Sequence, residues 1–223
     1  MSMRSSLACH AAALALAAQL ALPAAAQTVV TPTAYDMPNG YGQANLGSFN
    51  YWDKAYTGSG DTSLDFAPLS GGLGDLTDGV IATGRWDAVE NLEGTGPYVG
   101  WAGIDPVITF HFAQSHSFSQ VTIWHDDANG HGNVATPMAF TVTVGAQSQR
   151  FDITDPAGDA PFASTLVLGP GFTGSSLQLQ VHRFDTATML SEVQISAVPE
   201  PASAALLAAG AGLLLALRRR GAA

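Results

Sequence analysis

A spacing narrows the fold more than any other feature of this chain. From Tyr98 onward, short runs rich in β-branched and aromatic residues recur with turn residues between them. Tyr98–Trp101, Val107–Phe112, Phe118–Trp124, Met138–Val144, Gln149–Ile153, Ser164–Leu168, Ser176–Phe184 and Met189–Ala197 each read as a strand. Asn129-Gly130-His131-Gly132 and Gly169-Pro170-Gly171 read as turns. Upstream, Gln43–Asp53 alternates enough (Leu46, Phe49, Tyr51) to suggest a further strand. Tyr56–Gly74, with glycines at 58, 60, 71, 72 and 74, reads as loop, and Thr28–Pro38 as part of a loose arm over 27–42. Between these points no segment sustains a 3.6-residue apolar period. Strands without helices bury their inner faces against one another. The expected fold is therefore all-β, a two-sheet sandwich of the jelly-roll type over 43–197, without internal repeats.

The two ends of the chain carry a different chemistry. Arg4, the apolar run Leu7–Leu22 and the small residues Ala24-Ala25-Ala26 before Gln27 have the layout of a secretory signal peptide over 1–26, cut between Ala26 and Gln27 by signal peptidase. Cys9, the only cysteine, lies ahead of most of the apolar run rather than after it. That position excludes lipidation, and cleavage leaves a domain without disulfide or thiol chemistry. At the other end, 198–223 holds a Val198-Pro199-Glu200-Pro201 hinge, sixteen uncharged residues over Ala202–Leu217, and Arg218-Arg219-Arg220. Prolines one residue apart keep the hinge extended. The apolar run shows no polar face, and as a helix it would span roughly 24 Å at about 1.5 Å per residue, close to a bilayer core. The arginines would hold that end on the cytoplasmic side.

This order resembles the PEP-CTERM sorting tail of exported proteins of Gram-negative bacteria that make extracellular polysaccharide. The resemblance rests on Pro199-Glu200-Pro201, the Leu/Gly-rich segment and the terminal arginines. It implies a transmembrane helix that anchors the chain in the inner membrane in transit, cleavage by an exosortase near Pro199–Pro201, and delivery to the cell surface or extracellular matrix. It gives an address and no activity.

Within 27–201, Lys54, Arg85, Arg150 and Arg183 are the only basic residues, set against all eighteen acidic ones. Such a surface repels phosphate backbones, which argues against nucleic acid and against anionic lipid. Divalent cations and neutral sugars suit it.

A second resemblance runs over 43–197. Leu76-Thr77-Asp78-Gly79, then Thr83 and Trp86, Tyr98-Val99-Gly100-Trp101, Pro106-Val107-Ile108-Thr109-Phe110 and Val121-Thr122-Ile123 follow the layout of the discoidin, or galactose-binding-like, family. Leu177–Val181 and the closing Leu190-Ser191-Glu192-Val193-Gln194-Ile195 fit its end. The resemblance implies a jelly-roll module that binds sugars or other surface ligands, with a structural calcium ion. By residue it makes Asp78 and Glu192 the carboxylate ligands, with Asp75 and Thr83 adding side-chain or carbonyl oxygens. The chain departs from the family by an extra residue or so between Gly79 and Thr83, and it lacks the cysteine pair of many animal members. Ca²⁺ takes about six to eight oxygens, which such a loop can supply. The alternative is that Asp78 opens a turn and Glu192 is a solvated strand residue.

Candidate ligand residues are Trp86, an aromatic near that loop; His125, Asp126 and His131 of the His125–His131 turn; and Arg183 at a strand end. Two histidines with two carboxylates have the donor types for zinc or acid–base chemistry, as in a metal-dependent hydrolase, but the six-residue spacing matches no helical metal motif, and the run reads more readily as a polar turn. Trp86 reads equally as core, and Arg183 as the partner of an acid. The expectation is an exported, non-enzymatic binding module for carbohydrate, exopolysaccharide or cell-surface glycan, stabilised by calcium. The alternatives are a purely structural protein of a biofilm matrix and the hydrolase.

Overall fold

The structure is a computed structural model and describes residues 27–42, 44–184 and 187–198. The expected signal peptide and its Ala26 end, the Pro199–Glu200–Pro201 hinge, the apolar run and Arg218–Arg220 lie outside the described residues. Among the described residues no helix is long and apolar enough to cross a membrane.

The strands are β1 (Thr28–Val30), β2 (Ala34–Pro38), β3 (Pro68–Gly72), β4 (Val99–Trp101), β5 (Val107–His125), β6 (Ala139–Val144), β7 (Gln147–Asp152), β8 (Phe162–Val167), β9 (Thr173–His182) and β10 (Thr188–Val198). All ladders between them are antiparallel. One layer runs β3-β2-β5-β9-β6-β7. The other runs β8-β5-β10, with β4 and β1 on the far edge of β10. β5 belongs to both. Its first half pairs with β2 and β9, its second with β8 and β10.

The changeover is written in its side chains. Ile108, Phe110 and Phe112 are buried at even positions, and Val121 and Ile123 at odd ones. A strand alternates faces with period two, so this change of phase needs an extra residue. The even phase runs on to the buried Phe118, and the extra residue is Ser119, which the register with β10 passes over between Ser196 and Ala197. A separate slip against β9 lies between His111 and His116. Both halves feed one core, in which Phe110, Phe140, Leu177 and Leu179 of the first layer meet Ile123, Leu166, Val193 and Ile195 of the second. A smaller cluster of Tyr51, Trp86, Tyr98, Val134 and Met189 lies beyond it.

Expectation and structure differ in four places. Val107–Phe112 and Phe118–Trp124 are one strand rather than two. The supposed loose arm carries β1 and β2, with Tyr35 and Met37 facing inward, and the supposed glycine-rich loop carries β3, which pairs with β2. The described part of Gln43–Asp53, residues 44–53, forms no strand. It holds a helical turn, α1 (Ala44–Gly47), and its Phe49 and Tyr51 reach the smaller cluster from a loop. A second turn of helix, α2 (Trp86–Val89), carries Trp86.

The registers also separate the molecule into two ends. Thr28 pairs with Ala197 and Val198 with Ser117, so both described termini leave beside the β5 changeover. The connections β5–β6 and β9–β10 start and finish at the other end, where Met138 N–H donates to the His182 carbonyl and Ala187 N–H to that of Asn133. Leu179, fully buried on β9, tests the shared core. Leu179→Ala is expected to cost about 2–5 kcal/mol by chemical denaturation, whereas the exposed Val167→Ala on β8 is expected to be nearly neutral.

Candidate functional site

The loop end is organised by residues 129–134. Asn129, Gly130, Gly132 and Asn133 all have left-handed backbone, at φ 47°, 80°, 61° and 65°. Asparagine and glycine are the residues that tolerate this region. The Asp127 carboxylate accepts the Asn129 N–H at 3.3 Å, and Gly130 N–H donates to the Val134 carbonyl at 2.8 Å. A Cβ on Gly132 would lie 2.2 Å from the Trp86 ring, so the loop rests directly on that indole, whose Nε1–H donates to the His131 carbonyl at 3.3 Å.

On one side of this ridge is a cleft of about 640 Å³ lined by Asn129, Gly130, Met138, Arg150, Asp152, Asp155 and Phe184, among others. Phe184 is 58% exposed and Met138 44%. Isolated exposed apolar residues are ordinary, but a ring and a thioether sharing an open cleft with charged groups are not. β7 presents Arg150, whose Nε lies 3.0 Å from Asp152 Oδ1, and the Thr136 hydroxyl orients Asp155 at 2.9 Å. An apolar face ringed by guanidinium, carboxylate and amide can stack against the C–H face of a pyranose while pairing its hydroxyls.

The residues proposed for calcium meet only in part. Gly79 N–H donates to Glu192 Oε2 at 3.0 Å, so the Asp78–Gly79 turn sits on the closing strand as expected. Glu192 is buried. Burial, with the Asp78 charge against the Gly79 N–H, pushes its carboxyl up to about 7. Asp78 is exposed and accepts the Val80 N–H at 2.8 Å. Asp75 departs from the expected set. Its N–H donates to Asp53 Oδ1 at 3.1 Å, in a buried network where the Tyr35 hydroxyl also donates to Asp53. Thr83 is exposed. Among the described residues no group of three or more His, Cys, Asp or Glu is placed to hold a metal ion. Of the expected set, the structure brings together the Asp78–Gly79 turn and Glu192.

The proposed ligand residues scatter. His125 is fully buried, with Nε2 2.8 Å from the Ser164 hydroxyl and the Phe162 ring 4.2 Å away; burial holds it down at about 4. It is a core residue, because the inward phase of β5 carries it there, and it cannot reach a surface ligand. His131 is exposed, over Trp86 and 3.4 Å from Asp87, so the two histidines of the turn share no site and the paired-histidine centre is not formed. Asp126 is fully buried and accepts the Trp86 N–H and the Tyr98 hydroxyl, each at 3.4 Å. Trp86 is a buried support for the ridge. Arg183 donates to the Ile104 carbonyl and lies 3.2 Å from Asp105, so it ties β9 to the loop before β5 instead of facing the cleft.

Residues 32–197 match the family model of the discoidin domain-containing receptor 1/2, DS-like domain. The chain belongs to this DS-like family. The discoidin resemblance is thereby borne out, and it extends upstream to take in β2. Similar solved structures include the F5/8 type C domain of a Bacteroides fragilis protein, at 10% identity and TM-score 0.46, covering 79% of this chain and 99% of that one. Another is the lectin domain of lectinolysin complexed with Lewis B antigen, at 13% identity and TM-score 0.36, covering 53% of this chain and 78% of that one. A third is the family 32 CBM of Clostridium perfringens NanJ in complex with galactose, at 6% identity and TM-score 0.31, covering 44% and 75%. No curated protein matches the chain.

In this DS-like domain the cleft residues Phe184, Arg150, Met138 and Asp155 were not singled out by sequence. A signal for Phe184 exists. Leu177, Leu179 and Val181 of β9 are buried, so 183 continues the inward phase and 184 the outward one. An aromatic at an outward position next to a turn is a candidate platform.

Beneath the ridge, burial pushes the Glu90 carboxyl up to about 8 and Asp126 up to about 6. Raised acids favour the fold while protonated, so their contribution is complete below the unfolded carboxylate range and lost as pH rises through about 6 to 8. His125 acts oppositely, but only below about 6.5. Melting temperature is therefore expected to fall between pH 6.5 and 8.5, and Glu90→Gln to reduce that fall by several degrees. An equal fall in both proteins, followed by circular dichroism, would remove Glu90 from the account.

Proposed function

We propose that this protein is an exported, non-catalytic carbohydrate-binding β-sandwich whose Phe184 cleft holds a neutral sugar of an exopolysaccharide or cell-surface glycan. One observation carries the reading: an exposed aromatic ring and Met138 share an open cleft with Arg150, Asp152, Asp155 and Asn129. The scarcity of basic residues favours an uncharged ligand over a polyanion. The fold supports a tethered role as well. Val198, from which the hinge and sorting tail continue, pairs beside Ser117 at the end away from the cleft. A chain held by its C-terminus in the membrane, before exosortase acts, leaves the loops facing outward.

The expected mechanism is recognition without bond breaking. Phe184 stacks on the less polar face of the pyranose, Arg150 donates to ring hydroxyls, and Asp152 and Asp155 accept from them. Asp78 and Glu192 would hold a calcium ion, completed by loop carbonyls, that when bound supplies a cross-link between the Gly79 turn and β10. The burial of Glu192 beside the Asp78–Gly79 turn supports that ion.

Two results are expected. On a glycan array followed by calorimetry, Phe184→Ala loses at least about tenfold in affinity, about 1.4 kcal/mol, at unchanged melting temperature. Full affinity in that variant places the ligand elsewhere. In thermal melts at pH 8, calcium at about 100 times its Kd raises stability by about 2.7 kcal/mol, roughly 5–10 °C for a domain of this size. Glu192→Gln abolishes the rise. An unchanged midpoint on adding EDTA to the calcium-loaded wild type removes the ion.

A further inference from the structure

The ridge has a second side, lined by different residues. Gly132, Asn133 and Val134 form one wall of a separate cavity of about 350 Å³, closed by the rings of Tyr41, Tyr51, Trp86 and Trp101. Gly130 lines the Phe184 cleft and Gly132 this cavity. Their α-carbons are two residues apart, hence at most about 7 Å. The wall between the pockets is one turn of backbone, Asn133 N–H donating to the Gly130 carbonyl at 3.0 Å. Trp86 beneath Gly132 and the bond from Ala187 N–H to the Asn133 carbonyl at 2.8 Å hold it in place.

The two pockets differ in chemistry. Arg150, Asp152 and Asp155 give the cleft charge, whereas among the described residues the cavity is lined by no charged side chain, and its carboxamide there is Asn133. A plain hexose in the cavity would set several hydroxyls against the four aromatic rings, at a cost of roughly 1–3 kcal/mol for each group left without a partner. A sugar with an apolar substituent would not.

We propose that the cavity is a second subsite, which takes the adjoining sugar of the glycan held in the Phe184 cleft and selects a residue bearing a methyl group, as an acetamido or 6-deoxy substituent. The inference rests on the carbohydrate reading of that cleft. Asn133 is the hydrogen-bond partner of the substituent or its neighbouring hydroxyl, and Tyr41 and Trp86 enclose the methyl. The ligand is then at least a disaccharide that straddles the ridge.

The test is calorimetry on the 27–198 protein with matched pairs: cellobiose against N,N′-diacetylchitobiose, lactose against N-acetyllactosamine, and lactose against 2′-fucosyllactose. In at least one pair the methyl-bearing member is expected to bind at least about tenfold tighter than its parent. The acetamido and fucosyl pairs distinguish the two substituents. Asn133→Gly, which keeps the left-handed backbone, and Tyr41→Ala each remove that ratio and leave the parent's affinity unchanged. Equal affinity within every pair, or a ratio that survives both variants, overturns the second subsite while the cleft reading stands. Failure of all these sugars to bind overturns both.

Discussion

One strand holds this fold together. β5 pairs in both layers, and the extra residue Ser119, just past Phe118, reverses which of its faces looks inward. Ile108 and Phe110 thereby reach the same core as Val121 and Ile123. Antiparallel neighbours follow from that passage: β9 lies along the first half and β8 along the second, while β10 closes the second layer. The termini are left at the changeover and the long connections at the opposite end. The position of the candidate site is a consequence of how one strand crosses the sandwich.

At the loop end, rigidity comes from steric contact more than from charge. Gly132 lies against Trp86, and Trp86 packs edge-on against Phe49 at 5.0 Å and Tyr51 at 6.1 Å. The buried acids beneath, Asp126 and Glu90, hold the N–H groups of Trp86 and Tyr98 and are costly to ionise there. This polar layer fixes the aromatic support, and the support fixes the ridge. The exposed residues proposed to meet a ligand stand on it: Phe184, Arg150 and Asp155 on one side, Asn133 on the other.

Most of the strands were legible because β-branched and aromatic runs with glycine and proline between them have few other solutions. β2 and β3 were hidden by the same residues that usually mark loops, since Pro38 closes β2, Pro68 opens β3, and Gly71 and Gly72 lie within β3. Gln43–Asp53 misled in the opposite direction: Phe49 and Tyr51 alternate like strand residues but meet Trp86 from a loop. Asp78 beside Glu192 was legible through the family layout alone. His125 was not, because a histidine in a polar-looking run gives no sign that strand phase will bury it. Arg183 and Phe184 differ by one residue and by which way the strand points them.

The most direct measurement of the central claim is an amide chemical-shift map of the 27–198 protein during titration with a bound glycan. The account predicts perturbations at residues 129–138, 150–155 and 184, with Thr28–Val30 and Gln114–Ser117 unmoved at the far end. Shifts confined to the changeover end, or absent at Phe184 and Arg150, would contradict it.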